Sequence, residues 1–207
     1  EACRVYGQSL GTAFQIVEAA SHDGRLAADL LSWFRGHRPE LLANLTYWIM
    51  EPSIQRQAWQ RRTLTEFEQY VRWVSDWNAL GPDGVRGIIF SNELLDSFPV
   101  HRIAWDAAQA RWFERGVTWR NDEFVWCTLG KEPKTELGDR DRSRWPELPP
   151  EFLAALPDGF TTEVSMVAPA WWNQAALALK RGKLLTMDYG FSSEDFLTPG
   201  TAAGALR

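Results

Sequence analysis

The sequence predicts an α/β fold, with a mainly parallel, twisted sheet flanked by helices. Short apolar runs typical of buried strands alternate with segments whose apolar residues recur at helical spacing. Polar side chains directly follow several of these runs, as they do where parallel strands end beside a ligand crevice. We expect one domain over residues 1–207, with an inserted region of antiparallel hairpins and loop at about residues 100–160.

The composition favours some classes of protein over others. The formal net charge is −5 and there is no basic block, which argues against a nucleic-acid partner. No apolar run reaches the length of a membrane span, and two cysteines do not make a disulfide framework, so we expect a cytoplasmic protein without a membrane partner. The three histidines lie far apart in sequence, which predicts no metal site. Because the chain begins without Met, we expect a fragment of a longer protein or a chain that lacks segments.

The first predicted unit is a strand, a tight turn and a helix. The apolar run Phe14–Val17 ends at Glu18, a polar turn closes at Gly24, and an apolar stripe at helical spacing follows. A carboxylate followed by backbone N–H groups that a ligand can approach closely suits a nucleotide-type ligand. An ordinary strand–helix turn has the same pattern, so both interpretations remain open at this point.

A second acid follows the second predicted strand. The strand Leu45–Met50 ends at Glu51, and Pro52 and Ser53 come next, with Ser53 placed to cap a helix over residues 54–64. In a sheet of this kind, an acid at the end of the second strand is placed to accept hydrogen bonds from ribose hydroxyls.

The third predicted strand, Val71–Val74, is followed by candidates for contact with a nucleobase. Asp76 is placed to accept from an adenine amino group, and Trp77 is placed to cover the ring.

Polar residues cluster after the fourth predicted strand, Gly87–Phe90. Asn92, Glu93 and Asp96 follow within a few positions, at the sheet edge that borders the ligand crevice. Because several polar groups surround one strand end, we expect them to form part of a site.

The remaining segments predict hairpins, a loop excursion and a return to the sheet. Short aromatic runs over residues 100–130 predict antiparallel hairpins, and the charged, proline-rich stretch from Lys131 to Asp158 is either a substrate-facing cap or a solvated loop. A short helix is expected over 150–156, followed by a longer helix over 168–181 that Gly182 ends. The inner face of the longer helix carries Trp172, Ala175, Ala176 and Leu179. The last element is a strand over 183–187 that closes with Asp188 and Tyr189.

Four segments of the chain carry a family resemblance. VEAASHDGRLAADLL, IMEPS, FSNELLDSFPVH and GKLLTMDYGF, in this order, resemble the MidA-like methyltransferases, the family of the mitochondrial complex I assembly methyltransferase and its bacterial relatives. The resemblance implies a class I methyltransferase fold, a seven-stranded sheet with a reversed last hairpin, and S-adenosyl-L-methionine as cofactor. The mitochondrial member methylates an arginine of a complex I subunit.

The resemblance also implies roles for individual residues. By position, Glu18 to Gly24 matches the cofactor loop, Glu51 the ribose-binding acid, and Asn92-Glu93 the reacting end. The family loop is Glu-x-Gly-x-Gly-x-Gly, whereas here its glycine positions hold Ala20, His22 and Gly24. Alanine costs little if its φ is negative. For His22 there are two outcomes: the loop takes another path, with His22 and Asp23 pointing away or binding the methionine part, or cofactor affinity is reduced.

The resemblance implies a methyltransferase that acts on a protein arginine, while the residues by themselves leave the methyl acceptor open. A guanidinium is protonated at any working pH, so Glu93 and Asp96 would hold it, and Asn92 would orient cofactor or substrate. Two alternatives remain: a non-catalytic binding or assembly factor on the same fold, which the altered loop motivates, and a nicotinamide-dependent oxidoreductase. We expect a protein substrate, and a homo-oligomer is compatible with the sequence.

Overall fold

The computed structural model describes residues 13–129, 148–190 and 204. The chain divides into two compact units: the residues up to Ser97 with Ala170–Tyr189, and Phe98–Pro169 with the residues from Gly190 onward. The predicted insertion falls within the second unit, and most of the charged excursion lies outside the described residues.

In chain order the elements are β1 (Phe14–Ala19), α1 (Arg25–His37), α2 (Pro39–Leu42), β2 (Leu45–Met50), α3 (Ile54–Thr63), β3 (Val71–Val74), β4 (Val85–Asn92), β5 (His101–Asp106), β6 (Arg111–Arg120), β7 (Glu123–Thr128), α4 (Pro150–Ala155), β8 (Thr161–Val164), α5 (Val167–Ala178) and β9 (Leu179–Met187).

A parallel sheet forms the first unit, which confirms the predicted α/β fold. Its strand order among the described residues is β3-β2-β1-β4-β9, and every neighbouring pair runs parallel. Ala19 lies opposite both Met50 and Ser91, so β1, β2 and β4 end at one edge of the sheet. The chain leaves β1 for β2 on one side and places β4 on the other. That reversal beside β1 is where sheets of this type open a ligand crevice.

Apolar side chains cover both faces of this sheet. On one face, α1 packs through Ala27, Leu31 and Phe34, and Leu64 and Phe67, which follow α3, also pack there. Of the stripe that the sequence predicted for α1, Leu26 is exposed. The helix α5 and the turn Trp77–Leu80 cover the other face. Strands buried on both faces are typical of parallel sheets, and they hold the carboxyl edge rigidly. The first face buries Ile16, Ala27, Leu31, Phe34, Tyr47, Ile49, Leu64 and Phe90, among others, and the second buries Val17, Ala19, Met50, Val74, Ile89 and Ala175.

The second unit contains the predicted antiparallel hairpins. Its described strands are ordered β7-β6-β5-β8, all antiparallel. Asn121 and Asp122 join β6 to β7 with φ values of 53° and 61°, the left-handed geometry that a tight hairpin requires. Within the part of the chain that the structure describes, no helix is both long and apolar enough to cross a membrane.

The boundary between α5 and β9 differs from the prediction. The helix ends at Ala178, and residues 179–182 belong to β9, so the helix predicted to reach Arg181 was too long and Gly182 does not end it. Gly182 lies opposite Gly87 of β4, where the two backbones approach too closely for a side chain. Ala176 is exposed rather than on the inner face, because Ala175 is the residue that α5 buries against the sheet.

Candidate cofactor-binding site

The first carboxylate of the site is buried at the end of β1. Glu18 is 2% exposed, and the hydroxyl of Tyr47 on β2 donates a 2.6 Å hydrogen bond to its Oε2. Burial raises the pKa of the Glu18 carboxyl, and the hydroxyls of Tyr47 and Ser21 partly oppose that shift. A buried acid with few donors around it suits a ligand that brings its own donors or a positive charge.

Ser21 presents a second polar group to the same place. Its hydroxyl is buried and is close enough to favour the ionised form of Glu18, yet it makes no hydrogen bond of normal geometry with any described residue. A buried hydroxyl without a partner costs free energy unless a ligand satisfies it. Ser21 therefore fits a polar ligand beside Glu18.

The loop after β1 has the backbone of a glycine loop with few of its glycines. Ala20, His22 and Gly24 have φ values of 64°, 45° and 86°, so all three family glycine positions are left-handed. The condition for a cheap alanine, a negative φ, is not met at Ala20. The side chain of His22 is 81% exposed, and that of Asp23 pairs with Arg25 at 3.0 Å. The His22 side chain therefore points into solvent, which is one of the arrangements expected for it from the sequence.

Gly24 is the only one of the three family positions that holds glycine, and the packing there requires it. A Cβ there would lie 3.3 Å from Leu64 and 3.4 Å from the backbone of Gln60 on α3, and its φ of 86° would strain any other residue. Its carbonyl accepts from the N–H of Ala28, so α1 begins at this position. The loop is thereby held against α3.

The second carboxylate lies at the end of β2. Glu51 is 4% exposed; its Oε1 accepts from the N–H of Ser53 at 2.9 Å, and its Oε2 accepts from Gln60 Nε2 at 3.4 Å. A carboxylate offers about four acceptor positions, so capacity for ribose hydroxyls remains. The Ser53 hydroxyl caps α3 at the N–H of Arg56, which confirms the predicted cap, and Pro52 is exposed.

Gln60 is a residue of this region that the sequence interpretation missed. It is completely buried, and its amide contacts the loop after β1, Glu51 and the indole of Trp73 on β3. One signal was present in the sequence. Gln60 stands in line with Leu64 and Phe67, at an inward position of the helical stripe where a polar residue is unusual.

The predicted adenine contacts after β3 lie beside a cavity. Oδ1 of Asp76 accepts from the N–H groups of Asn78 and Ala79, and Oδ2 accepts from Ser75. The Ser75 hydroxyl and those N–H groups lower the pKa of the exposed Asp76 carboxyl.

Trp77 packs against Trp171 with ring centroids 5.5 Å apart. The cavity has a volume of about 310 Å³ and is lined by Asp76, Trp77, Asn78, Gln174, Leu177 and Ala178. Contact of Asp76 or Trp77 with adenine remains a prediction.

The end of β4 and the segment after it hold the predicted catalytic residues in an exposed arrangement. The strand runs two residues past the predicted Phe90, so Asn92 is its last residue. Asn92, Glu93 and Asp96 are all exposed, and no hydrogen bond joins their side chains within the described residues. Glu93 has a left-handed φ of 49°, and its N–H donates to the carbonyl of Met187 at 2.8 Å. Strained, well-held residues of this kind cluster at functional sites.

Asp188 organises that segment. Its Oδ2 accepts from the N–H of Leu95 at 2.7 Å and, more weakly, from that of Asp96 at 3.4 Å, so its carboxylate ties the end of β9 to the segment after β4. Asp188 therefore holds the backbone of this segment in place.

These groups together fit a nucleoside ligand with a charged tail. Two buried carboxylates end the adjacent strands β1 and β2, and a left-handed loop with an unpartnered buried hydroxyl follows the first. Ribose hydroxyls and an ammonium group are donors that such carboxylates bind. The location, where the strand order reverses, is the one that parallel sheets use for such ligands.

Two solved structures are similar to this chain. One, from Burkholderia thailandensis, is described as a "COG1565 superfamily member and likely methyl transferase" bound to S-adenosyl-homocysteine; it is 28% identical with a TM-score of 0.71. The second, a COG1565 superfamily protein from the same organism, is 27% identical with a TM-score of 0.69. Each match covers 98% of this chain, and the chain spans about half the length of these relatives, 49% and 50%.

A search of the curated proteins found no match. A family model described as "Putative S-adenosyl-L-methionine-dependent methyltransferase" matches residues 2–205. The fold, the acids at the strand ends and the likeness to a structure that holds S-adenosyl-homocysteine agree with that match. The chain belongs to this family of S-adenosyl-L-methionine-dependent methyltransferases.

Proposed function

We propose that the chain binds S-adenosyl-L-methionine at the carboxyl edge of its parallel sheet and methylates a protein arginine, as a member of the MidA-like branch of the family. One observation carries the proposal: two buried carboxylates, Glu18 and Glu51, lie at the ends of adjacent strands, and a left-handed loop follows the first of them. The arginine acceptor follows from the resemblance of the NELLDSFPVH and LLTMDYG segments.

The two acids have different parts in holding the cofactor. Glu51 accepts hydrogen bonds from the ribose hydroxyls with the acceptor positions that Ser53 and Gln60 leave open. Glu18 and the Ser21 hydroxyl bind the methionine ammonium, whose positive charge offsets the burial that raises the pKa of the Glu18 carboxyl. Asp76 and Trp77 contact the adenine.

The residues after β4 serve the acceptor. The cofactor supplies a methyl group on a sulfonium, which is already a good donor, so the protein mainly positions the partners in line. Glu93 and Asp96 hold the guanidinium by charge-assisted hydrogen bonds, and Asn92 orients it. As the new N–C bond forms and the S–C bond breaks, one of these carboxylates accepts the proton that the guanidinium loses.

Calorimetry and methyl transfer test the proposal in sequence. S-adenosyl-L-methionine and S-adenosyl-homocysteine should both bind the protein, while NAD should not. Labelled methyl groups should then appear as methylarginine in protein substrates and be lost when the target arginine is changed to lysine. Binding of NAD alone, or label on another residue type, would contradict the proposal.

A non-catalytic binding factor is the second candidate function. The observation in its favour is that Ala20 and His22 occupy left-handed positions where the family has glycine. This function predicts binding of S-adenosyl-homocysteine without methyl transfer to any protein offered. Turnover with a protein substrate would exclude it.

A further inference from the structure

The amide of Gln60 joins three parts of the proposed cofactor site. Nε2 donates to the carbonyl of His22 at 3.0 Å and to Oε2 of Glu51 at 3.4 Å, while Oε1 accepts from Nε1 of Trp73 at 3.0 Å. The side chain is completely buried on α3. One amide therefore contacts the loop after β1, the acid after β2 and a side chain of β3.

The chemistry of its partners fixes the orientation of this amide. The indole N–H of Trp73 can only donate, whereas a backbone carbonyl and a carboxylate oxygen can only accept. The amide oxygen must therefore face Trp73, and the NH₂ group must face His22 and Glu51. A flipped amide would break all three contacts, so the network has a single arrangement.

We propose that Gln60 is a positioning residue that holds the loop after β1 in its left-handed conformation and orients Glu51 for the ribose. The inference rests on the proposed function, because the orientation of Glu51 matters only if a ribose binds there. It goes further by naming a helix residue whose contact holds the loop in a left-handed conformation. Ala20 and His22, unlike glycine, do not favour that conformation by themselves.

The loop gives a physical reason for such a restraint. His22 has a φ of 45°, a left-handed conformation that any residue other than glycine adopts only at a cost in free energy. Among the residues that the structure describes, its exposed ring makes no hydrogen bond that would offset this cost, and it approaches Asp23 only to 3.8 Å. The hydrogen bond from buried Gln60 acts on the carbonyl of this same residue, where it favours the strained conformation directly.

Gln60→Met tests the proposal because methionine keeps length and volume but makes none of the three hydrogen bonds. Gln55→Met, an exposed position on the same helix, is the matched control. The first readout needs no ligand. The amide of Gly24 donates to Ser21 within the loop, so its hydrogen exchange should become about tenfold faster in Gln60→Met. That increase should exceed the increase at Ile89 in the sheet core, whose exchange follows global unfolding.

The second readout separates positioning from general destabilisation. Binding of S-adenosyl-homocysteine is compared with that of its analogue lacking the ribose 2′ hydroxyl. Gln60→Met should weaken the parent ligand about tenfold and the analogue less, because the analogue has already lost a contact with Glu51. Equal weakening of both ligands would indicate a merely structural role and contradict the assignment to Glu51.

Unchanged exchange at Gly24 would overturn the role in the loop. If the wild-type protein bound no S-adenosyl-homocysteine, the proposed function would fail, whereas the exchange measurement would still decide what Gln60 does. Should Gln60→Met not fold, Gln60→Glu replaces it: glutamate has the same shape and still accepts from Trp73, but its carboxylate cannot donate to His22 or Glu51.

Discussion

The loop after β1 and the segment after β4 lie at the same edge of the sheet but are built differently. In the first, Glu18 and Ser21 are buried and α3 supports the backbone through Gln60. In the second, Glu93 and Asp96 are exposed, and Met187 and Asp188 at the end of β9 hold the backbone. The buried loop is organised before any ligand binds, which reduces the cost of binding a cofactor. The exposed carboxylates remain available for a charged acceptor.

The largest expected effect separates the two regions by function. Glu93→Gln should lower the rate of methyl transfer by about 100-fold or more, because it removes a charge that stabilises the transition state. Affinity for S-adenosyl-homocysteine should stay within about twofold, since the cofactor is held by the other region. Steady-state kinetics and calorimetry measure the two quantities. Glu68→Gln, at another exposed acid of the first unit, is the control, and full activity in Glu93→Gln would refute the role of Glu93.

The next effect should appear at the cofactor site, at the end of β2, and in the affinity for cofactor rather than in the rate of methyl transfer. Glu51→Gln should weaken S-adenosyl-homocysteine by about 10- to 100-fold, because hydrogen bonds to a charged group contribute about 1.5–3 kcal/mol. Titration calorimetry measures the change. The exposed Glu40→Gln is the control and should bind like the wild type. An affinity for Glu51→Gln equal to that of the control would remove Glu51 from the site.

A smaller effect tests whether the buried loop carries strain. Ala20 has a φ of 64°, so Ala20→Gly should raise the free energy of unfolding by about 0.5–1 kcal/mol. The same change at exposed Ala58, inside α3, should lower it by about 1 kcal/mol, because glycine is a poor helix residue. Urea denaturation measures both. Shifts of the same sign would mean that Ala20 is not strained.

The smallest effect concerns the pH dependence of stability. Burial raises the pKa of the Glu18 carboxyl above its ordinary value of 4.5, so the folded protein holds this proton more tightly than the unfolded chain. Stability therefore falls as the pH rises from about 4.5 through the raised pKa. Glu18→Gln lacks this loss, and its stability relative to the wild type should increase across that window. A difference that is constant with pH, in denaturation series from pH 4 to pH 8, would speak against the raised pKa.

The sheet and the acids at its edge could be predicted from the sequence because the patterns that indicate them are local. Leu45–Met50 and Val71–Val74 are short apolar runs with polar residues at their ends, and the structure has strands with those same bounds. Glu18 and Glu51 follow from the same pattern, since the residue at a strand end is fixed once the strand is known. Roles for these acids in binding remain predictions.

The supporting contacts were not readable because they depend on tertiary structure. The hydrogen bond from Tyr47 to Glu18 depends on the register of β1 against β2, and the contacts of Gln60 join residues 9 to 38 positions apart. The start of β9 is similar: Leu179 continues the apolar spacing of α5, and only pairing with β4 makes residues 179–181 part of a strand. Left-handed φ values at Ala20 and His22 could not be foreseen from residues that normally avoid them.

A crystal structure of the protein with S-adenosyl-homocysteine would show whether the two buried carboxylates hold the cofactor. We expect the ribose hydroxyls to lie within hydrogen-bonding distance of the Glu51 carboxylate, and the amino-acid tail to contact Glu18 and Ser21. The sulfur should face the segment that contains Asn92 and Glu93. A ligand bound away from this edge, or a ribose out of reach of Glu51, would contradict the account.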